Sequence, residues 1–251
     1  MLRNRTDSVL YRIVFNRRLN TLRGWTKTAI KSVIGEARYQ RFMYHVRTRL
    51  QKDAGYDAEY YAHIEQHNSV CYELFAKAVY NEFAPRTVLD VGCGGGGVLR
   101  AFMDRGCQAI GYDASSRALA IAREKGIDAR FLDLTATSHL EVRGDLTLSL
   151  EVAEHLPERH AAQFCRLLAS SSDVVVMTAA PPGQSGHLHV NEQPRDYWIQ
   201  LMHSCGMESD EGAVARIRGI FGGQMIKDYD ENLMVFRHTA AAPSRASSDA
   251  L

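Results

Sequence analysis

The chain has 251 residues, enough for one α/β domain with an appendage and a sizeable core. At 45% hydrophobic and 24% charged residues it has the composition of an ordinary globular protein, and no apolar run approaches the ~18 residues of a membrane span. The formal net charge of +1 hides an asymmetry: residues 1–52 hold 13 of the 30 Lys and Arg but only 2 of the 29 Asp and Glu, so this arm carries +11 and the rest of the chain −10. Five scattered cysteines without a C-x-x-C pair argue against a zinc ribbon and for a reducing, cytoplasmic setting. The Arg-rich N-terminus lacks the uninterrupted apolar stretch of a secretory leader.

Residues 1–55 are expected to form a basic helical arm. Phe15, Leu19, Leu22, Ala29 and Val33 recur at helical spacing with Arg12, Arg17, Arg18 and Arg23 between them, and the pattern stops near Gly35. A second basic stretch, Arg38 to Lys52, carries Tyr39, Phe42, Met43, Val46 and Leu50. Three roles fit: a solvated lid packed on the domain, attachment to an anionic membrane surface at ~1 kcal/mol per basic residue, and contact with nucleic-acid phosphates.

A long helix is expected over 56–83, with Leu74, Phe75, Ala78 and Val79 facing the core, broken by Pro85. Val88, Leu89 and Val91 then make an apolar run suited to a buried parallel strand. The run ends in Gly92-Cys93-Gly94-Gly95-Gly96-Gly97, and a helical stretch from Val98 follows. Strand, glycine turn and helix form a nucleotide-binding unit, because glycine lets the backbone turn tightly and a cofactor lie against it. Asp90 sharpens this reading. A carboxylate there would repel a pyrophosphate, but suits a cofactor presenting a cationic amino group.

The string D-x-G-x-G-x-G after a strand resembles motif I of the class I S-adenosylmethionine (SAM)-dependent methyltransferases. The resemblance implies a Rossmann-like, seven-stranded α/β domain over residues 56–238 and assigns Asp90, Gly92 and Gly94 to the cofactor. In this family the helix before the first strand often covers the cofactor, which makes Tyr60, Tyr61 and His67 candidates to line the site.

Cys107 to Asp113 reads as the second strand, and Asp113 stands where this fold places the carboxylate that accepts the ribose hydroxyls. Ser115 or Ser116 caps the helix that follows, which runs to about Lys125. Ala129 to Leu134 is the third strand and its exit. The resemblance implies that Asp133 contacts the adenine amino group and that Leu134 packs against the ring; a loop-capping role for Asp133 is the alternative.

Asp145 to Leu150 is the fourth strand, followed by Glu151-Val152-Ala153-Glu154-His155-Leu156-Pro157. The string E-V-x-E-H-x-P in this place resembles motif IV of small-molecule class I methyltransferases, including the ubiquinone O-methyltransferase type. In some families with this string the carboxylates and histidine bind Mg²⁺, which makes Glu151, Glu154 and His155 candidate ligands, and the strip with His187 and His189 after strand five could bring another imidazole. Two further readings stand beside it. Glu154 supports the next helix while His155 borders the acceptor pocket, or His155 or His189 is a metal-free general base.

Asp173 to Thr178 is the fifth strand. A loop rich in Pro and Gly leads to His187, His189 and Asn191, which are expected on the acceptor side; Pro194 suits the first turn of a helix. His189 to Trp198, H-V-N-x-Q-P-x-x-Y-W, resembles methyltransferases of glycan and sugar modification. Residues 213–217 and 232–237 are expected as strands six and seven, the last antiparallel, and 239–251 as a disordered tail rich in Ala and Ser.

The expected function is methyl transfer from SAM to a hydroxyl of a small molecule, a glycan or a lipid-linked sugar, with His155, His187 and His189 on the acceptor side. The expected setting is cytoplasmic, with the arm able to hold the protein at the inner membrane face. Two rivals remain open: an RNA methyltransferase that uses the arm, and a non-catalytic SAM-fold module that tethers a partner to a membrane.

Overall fold

The computed structural model describes residues 58–184, 189–221 and 226–238, with side chains from 68 onward. The basic arm, the side chains of Tyr60, Tyr61 and His67, His187, the glycine pair at 222–223 and the tail lie outside the described residues.

The elements follow in the order α1 (Ala58–Phe83), β1 (Thr87–Val91), α2 (Gly97–Met103), β2 (Gln108–Asp113), α3 (Ser116–Glu124), β3 (Asp128–Phe131), β4 (Leu146–Ser149), α4 (Ala161–Ser171), β5 (Val174–Met177), α5 (Arg195–Ser204), β6 (Met207–Ser209), α6 (Glu211–Phe221), α7 (Lys227–Glu231) and β7 (Met234–His238). The strands make one seven-stranded sheet in the order β3-β2-β1-β4-β5-β7-β6. Strands β1 to β5 are parallel to their neighbours, and β7 runs antiparallel to both β5 and β6. This is the Rossmann-like arrangement of class I methyltransferases.

The strand sequences alternate between two cores, as the period of two requires. Val88, Leu146, Leu148, Val176 and Val235 pack on one face with Phe75, Leu99, Phe102, Ile217 and Phe221. Leu89, Val91, Val175, Met177, Met234 and Phe236 pack on the other with Phe164, Leu168, Trp198 and Met202. Both faces are covered by helices, so short apolar strands such as Val174–Met177 are buried on both sides.

Ser115 caps α3 as expected, its hydroxyl accepting the Ala118 amide at 3.2 Å. Pro194 is the N-cap of α5. One expected element changes type. Residues 213–217 lie inside helix α6, not in a strand, and the sixth strand is the three-residue Met207–Ser209. The physical reason lies at Asp210, whose Oδ1 accepts the Ala213 amide at 2.8 Å and starts the helix.

The sheet order reverses between β2-β1 and β4-β5. Residues that leave the carboxyl ends of β1 and β4 therefore meet at the crevice where open α/β sheets bind ligands.

Candidate active site

The cofactor side is built by the turn after β1. Gly92, Gly94 and Gly96 have φ of 89°, 52° and 77°, a left-handed region that costs glycine nothing. At Gly92 close approach matters as well, because an added Cβ would stand 2.3 Å from Val152 Cγ2, in the segment after β4. Gly97 is equally constrained: Tyr72 of α1 packs so closely that a Cβ there would meet its ring at 2.4 Å. The helix before the first strand thus leans on the glycine turn, through Tyr72 among the described side chains.

Asp113 ends β2 and binds the turn. Its Oδ2 accepts the Gly94 amide at 2.9 Å and its Oδ1 the Ser115 amide at 2.7 Å. Burial raises its pKa, against the lowering effect of these amides. Asp90 is buried within β1, and its Oδ1 has no hydrogen-bond partner. Burial, and then the charge of Asp113, push its carboxyl up to about 8. An orphaned carboxyl beside a glycine cradle calls for a cationic partner. SAM, which carries an ammonium group and two ribose hydroxyls, fits this combination of residues.

Asp133 is exposed, and its Oδ1 accepts both the amide and the hydroxyl of Thr135, at 2.9 and 2.7 Å. It caps its own turn. Leu134 is half-buried and packs on the second core.

The segment after β4 builds a second group of polar side chains. Glu154 is fully buried, and neither carboxylate oxygen has a hydrogen-bond partner. Burial first, and then the neighbouring Glu151, push its carboxyl up to about 8. Its carbonyl accepts the amides of Val190 and Asn191 at 2.9 and 3.0 Å, which draws the strip after the β5 loop alongside. His189 arrives on that strip. Its ring meets His155 edge-on at 5.1 Å between centroids, and its Nε2 lies 3.9 Å from Glu154 Oε1. One ligand atom from each of Glu154, His155 and His189 falls within 4.8 Å of the others.

Glu151 adjoins Glu154, and its own bonds run to other segments. Its backbone has φ of 54°, and its amide donates to Thr178 Oγ1 at 2.8 Å. Its carboxylate accepts from Gln184 Nε2 at 2.8 Å and from Asn232 Nδ2 at 3.2 Å, and Asn232 also donates to Gln184 Oε1 at 2.9 Å. Of the expected ligands, Glu154 and His155 converge, and His189 brings the further imidazole, while the Glu151 carboxylate is bonded to Gln184 of the β5 loop and to Asn232 before β7.

Sequence reading missed three contributors. Gln184 and Asn232 hold Glu151 over separations of 33 and 81 residues, beyond any local signal. Glu192 binds the His189 ring at 3.0 Å; an acid three residues from an imidazole was the available clue.

Comparison with known proteins agrees with the geometry. Residues 88–171 match the family model of the methyltransferase domain. Ubiquinone biosynthesis O-methyltransferases are similar to the central part of the chain. The one from Pseudomonas paraeruginosa is 32% identical over 127 residues, 47% of this chain and 50% of that protein. The one from Serratia proteamaculans is 35% identical over 80 residues, 29% of this chain and 33% of that protein. The chain thus spans half or less of the length of these curated relatives. Among solved structures, a sugar N-methyltransferase from Streptoalloteichus sp. ATCC 53650 superposes with a TM-score of 0.58 at 15% identity, covering 73% of this chain and 93% of that one. Magnesium protoporphyrin IX methyltransferase from Synechocystis, with bound S-adenosylhomocysteine, gives 0.53 at 16% identity, covering 85% and 100%. At such identities these structures speak for the fold alone. Residues 88–171 thus form a methyltransferase domain, and the seven-stranded sheet that contains them has the fold of the class I SAM-dependent methyltransferases.

Proposed function

We propose that the protein transfers the methyl group of SAM to a hydroxyl oxygen of a small molecule, a glycan or a lipid-linked sugar. The observation that carries this reading is the convergence of the buried Glu154 with the half-buried His155 and His189 in the segment after β4. Its imidazoles are groups able to accept a proton from a hydroxyl.

When bound, SAM supplies a methyl group already activated on its sulfonium. The work left to this chain is to hold the two reactants in line and to take one proton. Asp90 opposes the ammonium group, and Asp113 accepts the ribose hydroxyls while its amide partners keep it oriented. Asp133 and Leu134 border the adenine. His155 and His189 take the acceptor proton, and His187 belongs to the same loop in sequence.

A divalent cation is a second reading, favoured by three converging donor atoms, one of them on the buried Glu154 carboxyl. Mg²⁺ is the ion the sequence suggested. One carboxylate and two imidazoles suit a first-row transition ion better, since imidazole is a softer donor than the oxygens Mg²⁺ prefers. Turnover unaffected by EDTA and by Glu154→Gln would remove this reading.

The acceptor is identified with SAM labelled in its methyl group, incubated with protein and cell extract that is then fractionated. Label in the small-molecule, lipid or polysaccharide fraction is expected. Label confined to RNA would replace this reading with the rival one.

A further inference from the structure

We infer that Glu192 is a positioning residue that sets the tautomer and aim of His189, so that Nε2 presents its lone pair to Glu154 and His155. The inference deepens the proposed acceptor site and rests on that reading for its catalytic meaning. The geometry itself stands apart from it.

Glu192 has two bonding partners. Its Oε2 accepts the Gly183 amide at 2.9 Å, and its Oε1 lies 3.0 Å from His189 Nδ1. Gly183 sits in the turn after β5 with φ of 90°, so the amide that anchors Glu192 belongs to a backbone shape that favours glycine. The strip between is anchored as well, through the Val190 and Asn191 amides on the Glu154 carbonyl. Glu192 is thus tied to the loop on one side and His189 to the end of β4 on the other.

Glu192 is part-exposed and accepts the Gly183 amide through Oε2, the setting of an ordinary carboxylate, which is ionised at neutral pH. An ionised carboxylate only accepts hydrogen bonds. Nδ1 must therefore be the donor, and in the neutral ring Nε2 is then the unprotonated nitrogen. That nitrogen lies 3.9 Å from Glu154 Oε1, and the His189 side chain is only 9% exposed. An imidazole fixed in this way by a carboxylate is oriented, which is what a proton acceptor or a metal ligand requires.

Glu192→Gln keeps the shape and removes the symmetry of the two oxygens. The amide can accept from only one of the two N–H groups through its oxygen. Turned the other way, its NH₂ donates to Nδ1 and forces the proton onto Nε2. The test has two arms. Nitrogen-15 spectra of histidine-labelled protein at pH 8.5, where imidazole is neutral, should show the His189 proton on Nδ1, with that preference lost in Glu192→Gln. Titration with Co²⁺, followed by its visible spectrum, should show affinity lower by ~10–100-fold in the variant. Unchanged S-adenosylhomocysteine affinity shows that the variant is folded, and Glu192→Asp, which keeps the charge, should restore the tautomer. A wild-type proton on Nε2, or an unaltered tautomer in Glu192→Gln, overturns the inference. Equal Co²⁺ affinity in the two proteins overturns it as well. If the wild type binds no Co²⁺, the cation reading fails, and the tautomer measurement still decides the role of Glu192.

Discussion

Asp113 and Asp90 hold the cofactor side together by opposite means. Asp113 is a satisfied carboxylate: two backbone amides fix it, and the proposed ribose contact would use its remaining lone pairs. Replacement by Asn swaps one accepting oxygen for a donor. Charge-assisted bonds are worth ~1.5–3 kcal/mol, so S-adenosylhomocysteine should bind ~10–150-fold more weakly to Asp113→Asn by calorimetry. Asp90 is unsatisfied. Its carboxyl is raised to about 8, far above the ordinary value of 3.8, so the cofactor-free protein keeps a proton that the unfolded chain releases. Stability of the free protein should fall as pH rises from about 4 through about 8, because the native state binds the extra proton across that window. Asp90→Asn should flatten that part of a denaturant-midpoint profile against pH. A cofactor ammonium reverses the balance by favouring the charged carboxylate. Binding of S-adenosylhomocysteine at pH 7 should therefore release up to about one proton, read from calorimetry in buffers of different ionisation enthalpy. No release, or the same release from Asp90→Asn, would contradict the role given to Asp90.

At the scale of elements, the glycine turn is the joint between β1, α2 and the segment after β4. Gly92→Ala combines a left-handed φ with a Cβ 2.3 Å from Val152. Strained backbone alone costs ~1–3 kcal/mol, and Val152 must also move. A lowered melting temperature and loss of cofactor binding are expected together. A substitution that leaves both intact would mean that the turn does not need this close approach. The same elements show how far sequence reaches. Strands β1, β4 and β5 were legible because buried parallel strands are short apolar runs bounded by turns. Motifs I and IV were legible because their residues lie next to one another along the chain. Residues 213–217 were misread as a strand because Ala-Val-Ala-Arg-Ile is too short for its periodicity to separate helix from strand. The signal that decides it is the cap at Asp210. In the cluster of Glu154, His155 and His189 the first two are adjacent in sequence, and the strip that could bring a further imidazole does so through His189, where the Glu154 carbonyl holds Val190 and Asn191. The bonds of Glu151 were not legible, because Gln184 and Asn232 come from distant segments.

At the scale of the whole molecule, an acidic catalytic unit follows a basic arm. We propose that residues 1–52 bring the protein to an anionic membrane surface, where a lipid-linked acceptor would be found. Among the described residues, no helix is long and apolar enough to cross a membrane. Co-sedimentation with vesicles containing anionic lipid should therefore fall with rising salt and with removal of residues 1–52. Binding that persists in neutral vesicles at high salt would point to an apolar contact instead. The central claim, that the domain uses SAM, is tested most directly by titrating the protein with S-adenosylhomocysteine in a calorimeter. The wild type should bind one equivalent and Asp113→Ala none. A folded wild-type protein that binds neither S-adenosylhomocysteine nor SAM would contradict the account.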